Sequence, residues 1–287
     1  MTEIDPDLRI EGVELAVSDL ERTAGFYERV LGFVRRGETA GGLALGPPGD
    51  GPAPLLLTQI EQPVPLPVRA SGLFHVAWLH PSREALAASV QRVTDAGWRF
   101  TGASDHHVSE ALYLDDPDGL GIELYADRPR ETWETGPDGQ GLKIISVPLD
   151  LDGLMAQAPE QARPQMDAGT VIGHVHLKTA DPPRAAAFYA GALGFELRAE
   201  IPSAAFLAAG GYHHHVAVNA WQSAGAARAP DDAPGMRDVR FALPGAGALD
   251  ELAGSIADGP GAAAVVRVEG ELAVTDPDGQ PLTFVQG

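Results

Sequence analysis

Cysteine is absent from the 287 residues, which excludes disulfides and thiolate metal sites. Long apolar runs are missing too: 44% of residues are hydrophobic, yet no stretch nears the length needed to span a bilayer. Basic residues are scarce, 20 Lys and Arg against 40 Asp and Glu, for a formal charge of −20. Such a surface repels a phosphate backbone, so nucleic acid is not an expected partner. Beyond that, the charge speaks mainly to solubility. The opening Met1-Thr2-Glu3-Ile4-Asp5 is acidic and lacks the basic and apolar regions of a signal peptide. The expectation is a cytoplasmic globular protein with no membrane partner, long enough for two domains that each bury a core.

What the chain does contain is an internal repeat. Val13-Glu14-Leu15-Ala16-Val17-Ser18-Asp19 leads to Phe26-Tyr27 and Leu31-Gly32-Phe33. Val175-His176-Leu177-Lys178-Thr179-Ala180-Asp181 leads to Phe188-Tyr189 and Leu193-Gly194-Phe195, every landmark offset by 162 residues. Each block reads as strand, helix, strand, with Asp19 or Asp181 capping the helix and Gly32 or Gly194 ending it. A second pair is Leu112-Tyr113-Leu114-Asp115-Asp116-Pro117-Asp118-Gly119 and Ala273-Val274-Thr275-Asp276-Pro277-Asp278-Gly279, in which Pro-Asp-Gly between apolar runs marks a β-hairpin turn. The repeats define four modules, beginning near residues 10, 72, 172 and 235. Domains are expected at 8–128 (modules 1 and 2) and 171–287 (modules 3 and 4), joined by a polar linker, 129–170, with one short helix at Leu151 to Gln157.

The Asp…Phe-Tyr…Leu-Gly-Phe block and the Asp-Pro-Asp-Gly hairpin resemble the vicinal oxygen chelate superfamily of glyoxalase I, bleomycin-resistance proteins and type I extradiol dioxygenases. The resemblance covers nearly the whole chain outside the linker. It implies an α+β fold of βαβββ modules that pair into open barrels, each a place for a metal.

All nine histidines lie in modules 2 and 3. In the resembled superfamily, metal ligands come from the first and last strands of a module, the first-strand ligand seven residues before the capping Asp. That position is His174 in module 3 and Gly12 in module 1; the matching strands offer His75 in module 2 and Asp238 in module 4. Tyr113 and Glu123 lie five residues either side of Asp118, so a hairpin turning there sets them opposite one another; the same count around Asp278 gives Ala273 and Thr283. Glu123 has apolar neighbours on both sides and is costly to bury unless something pairs with it. His75, Glu123 and His174 make a two-histidine, one-carboxylate set, the ligands of a non-haem Fe(II) oxygenase; Mn(II) prefers similar donors. Pairing modules 1 with 2 and 3 with 4 would leave neither barrel with three ligands. Pairing 2 with 3 and 1 with 4 puts all three in one barrel, and this is the expected arrangement.

Further segments are similar to extradiol dioxygenases of the catechol-2,3-dioxygenase-like kind. Phe206-Leu207 followed by Tyr212-His213-His214-His215-Val216-Ala217-Val218 matches a segment whose second histidine is the acid–base catalyst, which falls on His214. Asp105-His106-His107-Val108-Ser109-Glu110-Ala111-Leu112-Tyr113 matches a run from an active-site His to an active-site Tyr, which implies roles for His106 and Tyr113. Two features depart from the family: Ser104 holds the place nine residues before the Tyr, and the base-bearing module follows its partner. On a regular strand His214 faces away from His213 and His215. His176 shares a face with His174 and is expected to line a substrate pocket; His80 and His107 are expected to be partly exposed, and Glu14 structural or at the surface. The implied function is ring-cleaving dioxygenation of a small catechol- or hydroquinone-type diol by O2, in aromatic catabolism. The alternatives are a metal-dependent glyoxalase-type isomerase or lyase and a drug-binding resistance protein. Barrel edges and the histidine-free modules leave room for a homo-oligomer.

Overall fold

The computed structural model describes residues 3–39, 41–136, 139, 141–258, 265–268 and 270–287. Each module has the order βαβββ. Module 1 is β1 (Arg9–Val17), α1 (Leu20–Arg29), β2 (Val34–Thr39), β3 (Gly42–Gly46) and β4 (Leu55–Gln59). Module 2 is β5 (Gly72–Leu79), α2 (Arg83–Asp95), β6 (Gly102–Asp105), β7 (Ser109–Asp115) and β8 (Gly121–Asp127). A short helix, α3 (Leu151–Met155), lies between the halves. Module 3 is β9 (Val171–Lys178), α4 (Pro182–Gly191), β10 (Glu196–Ile201), β11 (Ala204–Ala208) and β12 (Val216–Asn219). Module 4 is β13 (Gly235–Leu243), α5 (Ala248–Asp258), β14 (Val265–Val268), β15 (Glu271–Thr275) and β16 (Pro281–Gln286). No described helix is long and apolar enough to cross a membrane.

The strands form two eight-stranded sheets, in the orders β14-β15-β16-β13-β1-β4-β3-β2 and β10-β11-β12-β9-β5-β8-β7-β6. Module 1 therefore shares a sheet with module 4, and module 2 with module 3, as the ligand positions required. The central seams are antiparallel, β1 with β13 and β5 with β9.

Consecutive modules meet through helices and turns instead. Phe26 of α1 packs on Trp98 at 4.6 Å between ring centroids, and Phe33 meets Trp78 edge-on at 4.7 Å. Asp19 and Asp181 cap α1 and α4 through the Arg22 and Arg184 amides. The Asp-Pro-Asp-Gly turns have two jobs. The first aspartate of each binds its own turn: Asp116 accepts from the Asp118 and Leu120 amides, and Asp276 from those of Asp278 and Gln280. The second reaches the neighbouring module. Asp118 accepts from the Ser18 amide at 2.9 Å and from the Ser18 hydroxyl and Arg22; Asp278 accepts from the Ala180 amide at 3.2 Å and from the Thr179 hydroxyl and Arg184. Gly119 and Gly279 close these turns at φ of 81° and 84°, where a side chain is strained.

Residues 129–170 do more than link. Val147 bridges Asp105 at the end of β6, Leu154 and Met166 are buried in the main core, and the expected helix is two residues shorter than its predicted span.

Candidate metal centre and substrate pocket

Three neighbouring strands, β8, β5 and β9, build the centre of the second sheet. Ala77 on β5 lies beside Glu123 of β8 and opposite His174 of β9. Cross-strand partners share a face, and His75, two residues from Ala77, shares it as well. The side chains converge: His75 Nε2 lies 2.8 Å from Glu123 Oε2, His174 Nε2 lies 3.1 Å from the same oxygen, and the two nitrogens are 3.4 Å apart. Tyr113 pairs with Glu123 across the β7–β8 hairpin, as the count around Asp118 required.

The group fits a divalent cation. Glu123 is 3% exposed, and no Lys or Arg is among its partners in the described residues. Burial opposes its charge, but the facing His174 and His75 rings more than offset that and hold the carboxyl well below its usual range. Burial pushes His174 down to about 4, so its ring is neutral near pH 7 and offers a lone pair. His174 Nδ1 is buried without a hydrogen-bond partner. An ionised carboxylate and imidazole lone pairs, turned toward one another, are donors lacking an acceptor. Among the described residues the other grouping of potential ligands is His174, His213 and His214, which shares His174 with the first.

The opposite sheet has the same frame without the donors. Arg240 stands where Ala77 does, beside Thr283 and opposite Gly12. Asp238, the counterpart of His75, accepts a hydrogen bond from the Thr283 hydroxyl at 3.0 Å.

A cavity of about 640 Å³ opens over His75, Glu123 and His174, lined by His106, Tyr113, His176 and His214 on its polar side. His106 Nδ1 lies 2.6 Å from the Ile145 carbonyl and so carries the proton, leaving Nε2 to accept from the Tyr113 hydroxyl at 2.7 Å. Burial, with Glu123 opposite, pushes the Tyr113 hydroxyl well above its ordinary pKa. His176 Nε2 accepts from the Asn219 amide at 2.9 Å.

The three consecutive histidines precede β12 rather than lying on it, so the strand alternation expected for them does not apply. His214 lines the cavity, its ring 4.0 Å from that of His174. His213 is buried behind it, with Nε2 3.0 Å from Asp127 Oδ1 and Nδ1 2.7 Å from His214 Nδ1. With His213 Nε2–H donating to the Asp127 carboxylate, His213 Nδ1 is the acceptor and His214 Nδ1 the donor. His214 Nε2 is then left with a lone pair. His215 accepts from the Ala209 amide at 3.1 Å and packs on Tyr212. His107, at φ of 65°, is half-buried as expected. His80 corrects the expectation of partial exposure. It is buried, bonded to Ser89 at 2.8 Å and to the Trp78 and Tyr125 carbonyls, because the chain leaving β5 tucks beneath α2.

The model of the Glyoxalase/Bleomycin resistance protein/Dioxygenase superfamily matches this chain twice, over residues 9–124 and 171–284. The chain belongs to that superfamily. A Bacillus subtilis (strain 168) protein named catechol-2,3-dioxygenase is 38% identical over 291 residues, covering 99% of this chain and 100% of the relative. Glyoxalase I from Zea mays shares the superfamily fold, with a TM-score of 0.57 at 16% identity over 98% of this chain and 92% of that one. The CppA protein of Streptococcus pneumoniae does so at 0.59 and 11% identity, with 100% of both chains covered.

Sequence reasoning did not single out Asp127, Trp221 or residues 144–146. Asp127 had a signal: Glu123, Tyr125 and Asp127 alternate onto one face of β8. Ile144, Ile145, Ser146 and Trp221 line the cavity from segments with no periodicity to mark them.

Proposed function

We propose that this superfamily member is an extradiol-type dioxygenase that opens a catechol- or hydroquinone-type ring with O2, using Fe(II), or Mn(II), held by His75, Glu123 and His174. The observation that carries the reading is the convergence of two neutral-capable imidazoles and one buried carboxylate beneath a cavity with further polar groups. The catechol-2,3-dioxygenase relative supports it. The ion would supply Lewis acidity toward the diol oxygens and redox chemistry toward O2.

The chain's own groups have distinct tasks. His214 Nε2 takes the proton of one diol hydroxyl, and the Asp127–His213 pair keeps His214 in the tautomer that can do so. Tyr113, oriented by His106, hydrogen-bonds the substrate on the other side, and His106 is itself fixed by the Ile145 carbonyl. His176 lines the substrate pocket. Holding the ring against these groups converts encounter into positioning.

Anaerobic loading with Fe(II), followed by oxygen uptake and visible absorbance with catechol, tests the reading. A yellow ring-fission product with matching oxygen consumption is expected. Tight metal binding without oxygen uptake across catechols and hydroquinones would replace it with an isomerase or lyase.

A further inference from the structure

The cavity is larger and more apolar than an unsubstituted diol requires. Beyond its polar side it is walled by Phe74, Phe206, Ile201 and Trp221. Trp221 is 51% exposed and Ile201 49%, two of the few large apolar side chains left open to solvent among the described residues. Isolated exposed apolar residues need no explanation, but these two rim one cavity, where a bound ligand would cover both. The wall is also fixed. The Trp221 indole donates to Ser203 at 3.1 Å, its amide donates to Asn219 at 3.1 Å, and its ring meets Phe74 edge-on at 5.5 Å.

Charge narrows the choice. Among the described residues no Lys or Arg lines the cavity, whose carboxylic acids are Glu123 and Asp115. A carboxylate or sulfonate on the substrate would be desolvated with no cation beside it.

Building on the ring-cleavage reading, we propose that the substrate is an aromatic diol bearing a bulky, uncharged apolar substituent, aryl or branched alkyl, seated against Phe74, Phe206, Ile201 and Trp221. The diol end meets the ligands, His214 and Tyr113, and the substituent covers the rim. Selection comes from burying that rim and from the missing countercharge.

The test compares catechol, a phenyl-substituted catechol and its carboxyphenyl analogue with the metal-loaded enzyme. The phenyl compound is expected to exceed catechol in kcat/KM by about tenfold or more, with the carboxyphenyl analogue about tenfold or more below the phenyl one. Trp221→Ala should shrink the phenyl-to-catechol ratio toward one. Catechol cleaved as well as or better than the phenyl compound would overturn the proposal and leave ring cleavage standing. A second readout is free of turnover: Trp221 fluorescence in the metal-free protein, isolated by difference from Trp221→Phe. It should report tighter binding of the phenyl diol than of catechol. If no diol is cleaved, the ring-cleavage reading fails, and this titration alone decides the pocket: equal or weaker binding of the phenyl diol overturns the proposal.

Discussion

Replacing Glu123 by Gln should remove most of the stability that metal confers. In the metal-free chain Glu123 is a buried carboxylate whose close partners are the His75 and His174 nitrogens at 2.8 and 3.1 Å. Removing an ion from water costs several kcal/mol, but the two facing rings more than offset this and hold the carboxyl ionised. Gln keeps the shape and can donate to one imidazole but gives up that charge-assisted attraction, so the metal-free variant should be no more stable than wild type. With metal the gap widens. Wild type at a free metal concentration of about 100 Kd gains roughly 2.7 kcal/mol. Losing an outer partner of a ligand already costs about 10–100-fold in affinity, and losing the charged donor costs at least as much. A 100-fold weaker variant gains only about 0.4 kcal/mol under the same conditions. Anaerobic urea melts of both proteins, with and without Fe(II) or Mn(II), give all four values. A variant that gains as much as wild type from metal would refute a metal role for Glu123.

Replacing His214 by Phe should leave metal binding close to wild type while ring cleavage falls about 10²- to 10⁴-fold, the usual range for a lost acid–base group; unchanged turnover in a single-turnover assay would discard its role. His80 titrates near 6.5 when unfolded and is pushed down to about 4 by burial in the fold. Between those values the unfolded chain binds more protons, so this group's stability contribution rises with pH from about 4 and is complete above 6.5, worth roughly 3 kcal/mol. The wild-type-minus-His80→Gln difference in urea midpoint should show that slope, and a flat difference would contradict it. Replacing Asp118 or Asp278 by Ala should each cost about 1–3 kcal/mol by stranding amide and hydroxyl donors of the neighbouring module; denaturation shows whether either turn is merely decorative.

The parts legible in the sequence were those governed by short-range periodicity. Tyr113 and Glu123 face each other because strands alternate and a hairpin mirrors its arms about the turn. Gly12 and His174 could be compared because both sit a fixed distance before a capping aspartate. What escaped was set by distant pairing. Ile145 reaches His106 because Val147 bridges the end of β6, a contact made across the chain. The histidine triplet was assigned to a strand although Gly210 and Gly211, at φ of 57° and 69°, announce a turn just before it. His80 follows the end of β5, where nothing local in the sequence reveals that α2 covers it.

The two sheets explain each other when compared position by position. Ala77 leaves space for Glu123 and His174 to approach; Arg240, in the matching place, fills it and reaches Glu11 and Glu271 instead. A ligand set is a burden in the absence of its ion, since a buried carboxylate and several buried imidazoles each cost desolvation. The sheet of modules 1 and 4 carries less of that burden: Thr283 stands for Glu123, Gly12 for His174, and the half-buried Asp238 accepts from a hydroxyl. Asp118 and Asp278 couple the two sheets, each tying a module of one to a module of the other. The sheet of modules 1 and 4 can therefore lend stability to the sheet that carries the proposed metal site. By the same logic, substitutions at Asp118 or Asp278 should lower the stability of the metal-free protein without changing the donors that meet the ion.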